Sequence, residues 1–136
     1  MAATTPPTPP SKREAIQHLA QARHDYELYQ ELKGRAQYLD WAVTALFYTA
    51  LHLAEACLAE HFQGGGPKSH TQRDSAIYRH LRPIYPEYDH LHTRSNWARY
   101  HPQKPKPTSE LLHQYETEWF ARIADHISRL GITLTP

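Results

Sequence analysis

"AQYLDWAVTALFYTALHLAEACLAEHF", residues 36–62, decides the fold. It holds neither Pro nor Gly, and apolar side chains fall on nearly every face of the helix it would form. Such a helix has no side to give to water, so it belongs in the middle of a bundle or in a subunit interface. At about 26 residues and ~1.5 Å per residue it should be about 39 Å long. Trp41 and Cys57 fall within the apolar run and are expected in the core. Tyr48 and His52, one turn apart, are expected as a buried, hydrogen-bonded pair. Gly64, Gly65, Gly66 and Pro67 follow and should end the helix.

The flanking segments also read as helices. On the N-terminal side, residues 1–10 are almost wholly Thr, Pro and Ala, the composition of a disordered tail. Ser11 with Glu14 makes a capping box. It predicts a helix over about Lys12 to Lys33, with Ile16, Leu19, Tyr26, Tyr29 and Lys33 on its inner side and Gly34 after its end. On the C-terminal side, Ser69 with Gln72 is a second capping box and opens a helix over about His70 to Arg82. Pro83 and Pro86 break that helix. Pro86 suits the first turn of the next one, which carries Tyr88, Leu91, Ser95 and Ala98 on one face. After a basic, proline-rich loop, Thr108 or Ser109 caps a last helix. Leu112, Tyr115, Trp119, Ile123, His126 or Ile127, and Leu130 trace its core side, and Gly131 closes it. Residues 132–136 read as a tail, with "ITLT" as the one short strand-like stretch. The expected architecture is all-α: an up-and-down bundle of four to five helices over residues 11–131.

Composition narrows the function classes. A chain of 136 residues is one domain, and 40% apolar with 21% charged residues is a globular balance. The first ten residues lack the basic start and apolar core of a secretory signal. No apolar run was counted as long enough to span a bilayer. The lone Cys57 gives no disulfide framework, so a reducing, cytoplasmic setting is expected. Net charge is +1, which does not announce a strongly basic nucleic-acid binder. The charge is uneven, however. Lys68, Arg73, Arg79, Arg82, Arg94, Arg99, Lys104 and Lys106 face only Asp74, Glu87 and Asp89 in that region, enough for one positive face.

The chemistry to test is an Arg followed two helical turns or less later by a His. The guanidinium can fork onto a phosphate, and the imidazole can pass a proton near neutrality. With the 2′-hydroxyl of RNA as nucleophile, no metal is required. Three pairs fit: Arg13–His18, Arg73–His80 and Arg94–His101. With 11 His in the chain, chance alone supplies roughly two or three such pairs. Arg94–His101 has the richest surroundings, with Arg99, Lys104 and Lys106 as cations and Tyr100 to stack on a base. The competing reading is that Arg94 and Arg99 only neutralise the negative end of their helix. His70 and Arg73, one turn apart at a helix start, are candidates for binding the strand. "DHLH", residues 89–92, lacks a third ligand on a shared face, so no metal or other cofactor is expected.

"DWAVTALFYTALHL", then "SHTQRD", then a Leu–Ser–Ala–Arg–Tyr pattern ending in "SNWARY", resembles the small prokaryotic HEPN domains over residues 12–130. The resemblance implies an all-α bundle that forms a homodimer. It implies either a metal-independent endoribonuclease of a toxin–antitoxin or phage-defence system, or an inactive relative that binds RNA, a nucleotide or a partner such as a nucleotidyltransferase. The family's Arg–polar–His motif maps onto Arg94, Ser95 and His101, and equally onto Arg73, Asp74 and His80. In the resulting assignment Arg94 and His101 are catalytic, and His70, Arg73, Arg99 and Tyr100 bind RNA.

Overall fold

The computed structural model describes residues 10–62 and 69–135. All regular structure among them is helical: α1 (Pro10–Leu32), α2 (Leu39–His61), α3 (His70–His80), α4 (Tyr85–Tyr100), α5 (Ser109–Gln114) and α6 (Ala121–Arg129). A π-helical turn, Tyr115–Phe120, joins α5 to α6 without a break. Single 3-10 turns precede α2 (Ala36–Tyr38) and α4 (Arg82–Ile84). The expected disordered tail and the Gly64–Pro67 stop lie outside the described residues.

Helix α2 is the centre, as its composition requires. Seventeen of its residues are buried, from Leu39 to Ala59. Alanines at 42, 50, 54 and 56 are fully covered and let neighbouring helices come close, while Leu46, Leu53 and Leu58 fill the space between them. Each fully buried Leu contributes roughly 1.5–3 kcal/mol of transfer free energy. By length and composition, residues 36–61 could cross a membrane, contrary to the expectation above, but 89% of the most apolar window is buried inside the bundle. That is the burial of a bundle's core helix.

The long helices alternate in direction around α2. Lys12 near the start of α1 reaches Glu60 near the end of α2, and α4 passes Phe47 at Tyr88 and Tyr48 at Arg99. Caps set several boundaries. Ser69 and Gln72 form both bonds of the capping box, at 2.9 and 3.1 Å, and Thr108 accepts from the Leu111 amide. Leu81, covered completely, and Ile84 anchor the proline-bearing turn between α3 and α4.

Several expectations need correction. Helix α1 already includes Pro10, so Ser11 sits within it rather than at its cap. Its inner line is Ala15, Ala22 and Tyr29, seven residues apart, and Ile16 is 59% exposed because it sits one position round the helix from that line. Trp41 is not core but 57% exposed. Tyr48 and His52 are half-buried, and each bonds a different partner rather than the other. In the last helix, the π turn widens the spacing so that Tyr115 and Phe120, five apart, both reach the core. Trp119 is left half-buried, stacked on Tyr115 and His90. Residues 132–135 form no strand. Gly131, at φ +91°, turns the chain, Ile132 is buried, and Arg23 donates to the carbonyls of Thr133 and Leu134.

Candidate functional site

One stripe of α2 runs through Trp41, Ala45, Tyr48, His52 and Glu55, at alternating steps of four and three residues; Trp41 is exposed and Tyr48 and His52 half-open to solvent, with Ala45 and Glu55 buried between and beyond them. Helix α1 flanks it with Leu32, Leu28, Asp25 and His18, also on one stripe. On the other side stand α4, beside Tyr48, and α3, beside Glu55. The stripe has an apolar end at Trp41 and a polar end at Glu55.

At the polar end, Glu55 is 4% exposed and accepts from Arg73 Nε at 3.0 Å. His18 Nε2 stands 3.8 Å from its other oxygen. The Nδ1 atoms of His18 and His52 are 2.9 Å apart, so one ring donates and the other accepts. His52 Nε2 lies 3.9 Å from Asp25. Burial, then the neighbouring His18, lower the His52 pKa to about 4, so its ring is neutral near pH 7. Burial likewise raises the Asp25 carboxyl above its ordinary value.

Arg73 also donates from Nη1 to His70 Nδ1 at 3.3 Å. The His70 ring lies nearly parallel to that of His92 on α4, with centroids 6.2 Å apart, and His92 packs flat on Phe47. Burial is the first cause of a lowered His92 pKa. Farther along α4, Arg99 donates to Tyr48 Oη (2.6 Å), to Asn96 Oδ1 (3.0 Å), and to the Ser95 hydroxyl and carbonyl. Its partners among the described residues are neutral, so its charge is uncompensated. Tyr100 is 66% exposed and its ring lies 5.0 Å from the Arg99 guanidinium.

Three of the four proposed RNA-binding residues, His70, Arg73 and Arg99, therefore border one open stripe, and Tyr100 stands beside Arg99. The proposed catalytic pair lies on the neighbouring side of α4. Arg94 stacks on Trp97 at 4.1 Å and lines a pocket of about 220 Å³ with Val43, Lys106 and Tyr115. It makes no hydrogen bond or ion pair among the described residues. His101 caps α4 with non-helical backbone, is exposed, and its ring lies 3.4 Å from Gln103. No contact joins Arg94 to His101; the two Cα positions are about 10 Å apart along the axis by helical rise. In the rival pair, Arg73 is committed to Glu55, and His80 stacks on Phe62 at 4.7 Å. In the first pair, His18 joins the polar cluster while Arg13 is exposed.

Sequence reasoning did not single out Glu55, Asp25 or His92 as parts of one site. A signal for Glu55 was present: a lone carboxylate between Ala54 and Ala56 in an apolar helix, one turn past His52. Asp25 and His92 depend on which helices pack together. Among the described residues, no group of three or more His, Cys, Asp or Glu side chains is placed to hold a metal.

Fold and site together define an all-α bundle whose central helix keeps one open, polar-to-apolar stripe. The chain matches no protein-family model, no curated protein and no solved structure.

Proposed function

We propose that this domain binds RNA along the open stripe of α2 and cleaves it without a metal ion. The observation that carries the reading is the convergence of His70 and Arg73 from α3 with His92 and Arg99 from α4 beside the central helix. A guanidinium whose hydrogen-bond partners are all neutral suits a phosphate backbone. In the cleavage step Arg94 holds the scissile phosphate and His101 moves the proton. The 2′-oxygen attacks phosphorus, the bond to the 5′-oxygen breaks, and one strand ends in a 2′,3′-cyclic phosphate. The guanidinium of Arg94, stacked on Trp97 with no hydrogen bond or ion pair among the described residues, and the exposed imidazole of His101 support this assignment over Arg73–His80. The chemistry of a HEPN-like toxin or defence ribonuclease is of this kind.

The test is incubation of end-labelled RNA with the purified protein in EDTA. Cleavage to cyclic-phosphate ends should occur, and Arg94→Ala and His101→Ala should each abolish it. Cleavage unchanged in both variants removes these residues from the site.

A second reading is a non-catalytic module that homodimerises and carries a partner, such as a nucleotidyltransferase-like protein. Two observations favour it: net charge is only +1, and Arg73, central to the site, is already neutralised by Glu55. Binding of RNA without cleavage, or binding of neither RNA nor nucleotide, shifts the weight to this reading.

A further inference from the structure

The apolar end of the stripe is a recess of about 440 Å³ between α1 and α2. Leu28, Leu32, Tyr38, Trp41, Ala45 and Tyr48 form most of its walls, with Asp25 on the side of His52. Leu28, Tyr38 and Trp41 are 45%, 41% and 57% exposed, unusual for three large apolar side chains grouped together. Tyr48 is shared between this recess and the polar end, because its hydroxyl accepts from Arg99.

We propose that this recess is a stacking subsite for one unpaired nucleobase of the bound RNA strand, with the adjoining phosphate held by Arg99. The proposal rests on the RNA reading above and names a part of that site. Three features argue for a base rather than a protein helix. First, the recess falls in the ~300–1,000 Å³ range of small-ligand sites, whereas a stable protein interface needs about 800 Å² from each partner. Second, two exposed aromatic rings in its walls, Tyr38 and Trp41, offer flat faces, and every base has a π-face to match them. Third, a cation adjoins one wall: Arg99 donates to the hydroxyl of Tyr48. Arg99 has five N–H donors and spends four of them on Tyr48, Asn96 and the two oxygens of Ser95, leaving one Nη1 hydrogen and the whole charge for a phosphate. Asp25, also in the wall, adds an acceptor for an exocyclic amino group.

Fluorescence anisotropy of a short, dye-labelled single-stranded RNA tests this, using the whole chain in EDTA and low salt and a strand whose 2′-oxygens are methylated so that none can attack. A second RNA, identical but with one abasic position, is titrated alongside. Thermal melting confirms that each variant is folded. Trp41→Ala should weaken binding of the intact RNA about tenfold or more, the usual scale of one lost base–aromatic stack. Trp41→Phe should retain most of the affinity. Removing the base should weaken binding to the wild type, while costing Trp41→Ala little further. Equal affinity of wild type and Trp41→Ala for intact RNA overturns the subsite and leaves the RNA reading standing. No RNA binding by the wild type removes both. A change of oligomeric state in Trp41→Ala by sedimentation velocity, with RNA affinity per subunit unchanged, would assign the recess to contact between copies and overturn the proposal.

Discussion

The two ends of the open stripe of α2 are held by different physics. At the Glu55 end, charged and titratable groups are taken out of water and must satisfy one another: Arg73 bonds Glu55, and His18 bonds His52. At the Trp41 end, large apolar groups stay about half exposed to water. The first arrangement fixes α1 and α3 to α2 through directional bonds, and its energy is lost if one partner is removed. The second contributes little to the fold, so its side chains are free to be chosen for something else. Mutation should therefore harm stability at one end and ligand affinity at the other.

The largest expected effect follows from Glu55. Removing a buried partner leaves the opposite charge desolvated and uncompensated, which costs roughly 3–5 kcal/mol. Glu55→Ala should lower the unfolding free energy by about that amount in urea denaturation. Glu55→Gln keeps an acceptor for Arg73 and should lose less. If both variants melt like the wild type, Arg73 has another way to satisfy its charge and the contrast between the ends collapses.

Acid should separate the ends as well. His52 has its pKa lowered to about 4 in the fold, against an ordinary value of about 6.5. Between those values the unfolded chain binds more protons than the folded one. Stability therefore rises with pH across that window and falls as acid is added, by on the order of 2 kcal/mol for this group. His92, lowered in the same direction, adds to the loss. Asp25, raised by burial, opposes it near the acid end. Melting temperatures measured from pH 7.5 to 4.5 should drop for the wild type and drop less for His52→Gln. Parallel curves for the two proteins would assign the acid sensitivity to other groups.

The contrast also explains what could be read from the sequence. The apolar run of α2, the Ser69–Gln72 box and the two prolines are local signals, and they gave the helices and their order, because a helix end or a missing donor is decided within a few residues. Trp41 was misplaced because hydrophobicity reports only a side chain's preference for burial. Whether a partner covers it depends on where α1 and α4 cross. The π turn at Tyr115–Phe120 put Phe120 in the core where Trp119 was expected, which a strict 3.6-residue period cannot anticipate, while Ile123 and Ile127 are buried as that period requires. His70, Arg73 and Arg99 drew attention as cations or imidazoles near helix ends. Their grouping with His52, Glu55 and His92 required the packing of four helices and had no counterpart in any motif.

The smallest predicted effect sits at Tyr48, where the two ends meet. Its hydroxyl takes one hydrogen bond from Arg99, and its ring lies 5.2 Å from the same guanidinium. Tyr48→Phe removes the hydrogen bond and keeps the ring, so the folded state should lose about 1 kcal/mol. Tyr48→Leu also removes the cation–ring contact and should lose a further ~0.5–1 kcal/mol. Both residues are half-buried, and Arg99 keeps Ser95 and Asn96 in either variant, so the guanidinium stays near its place on α4. What changes is its free donors. With Tyr48→Phe, the Nη1 hydrogen once given to the hydroxyl is released for a phosphate. RNA affinity should then hold or rise slightly while stability falls. If stability and affinity fall together, Tyr48 positions Arg99 for the strand as well as for the fold, and the boundary between the two ends is a shared element.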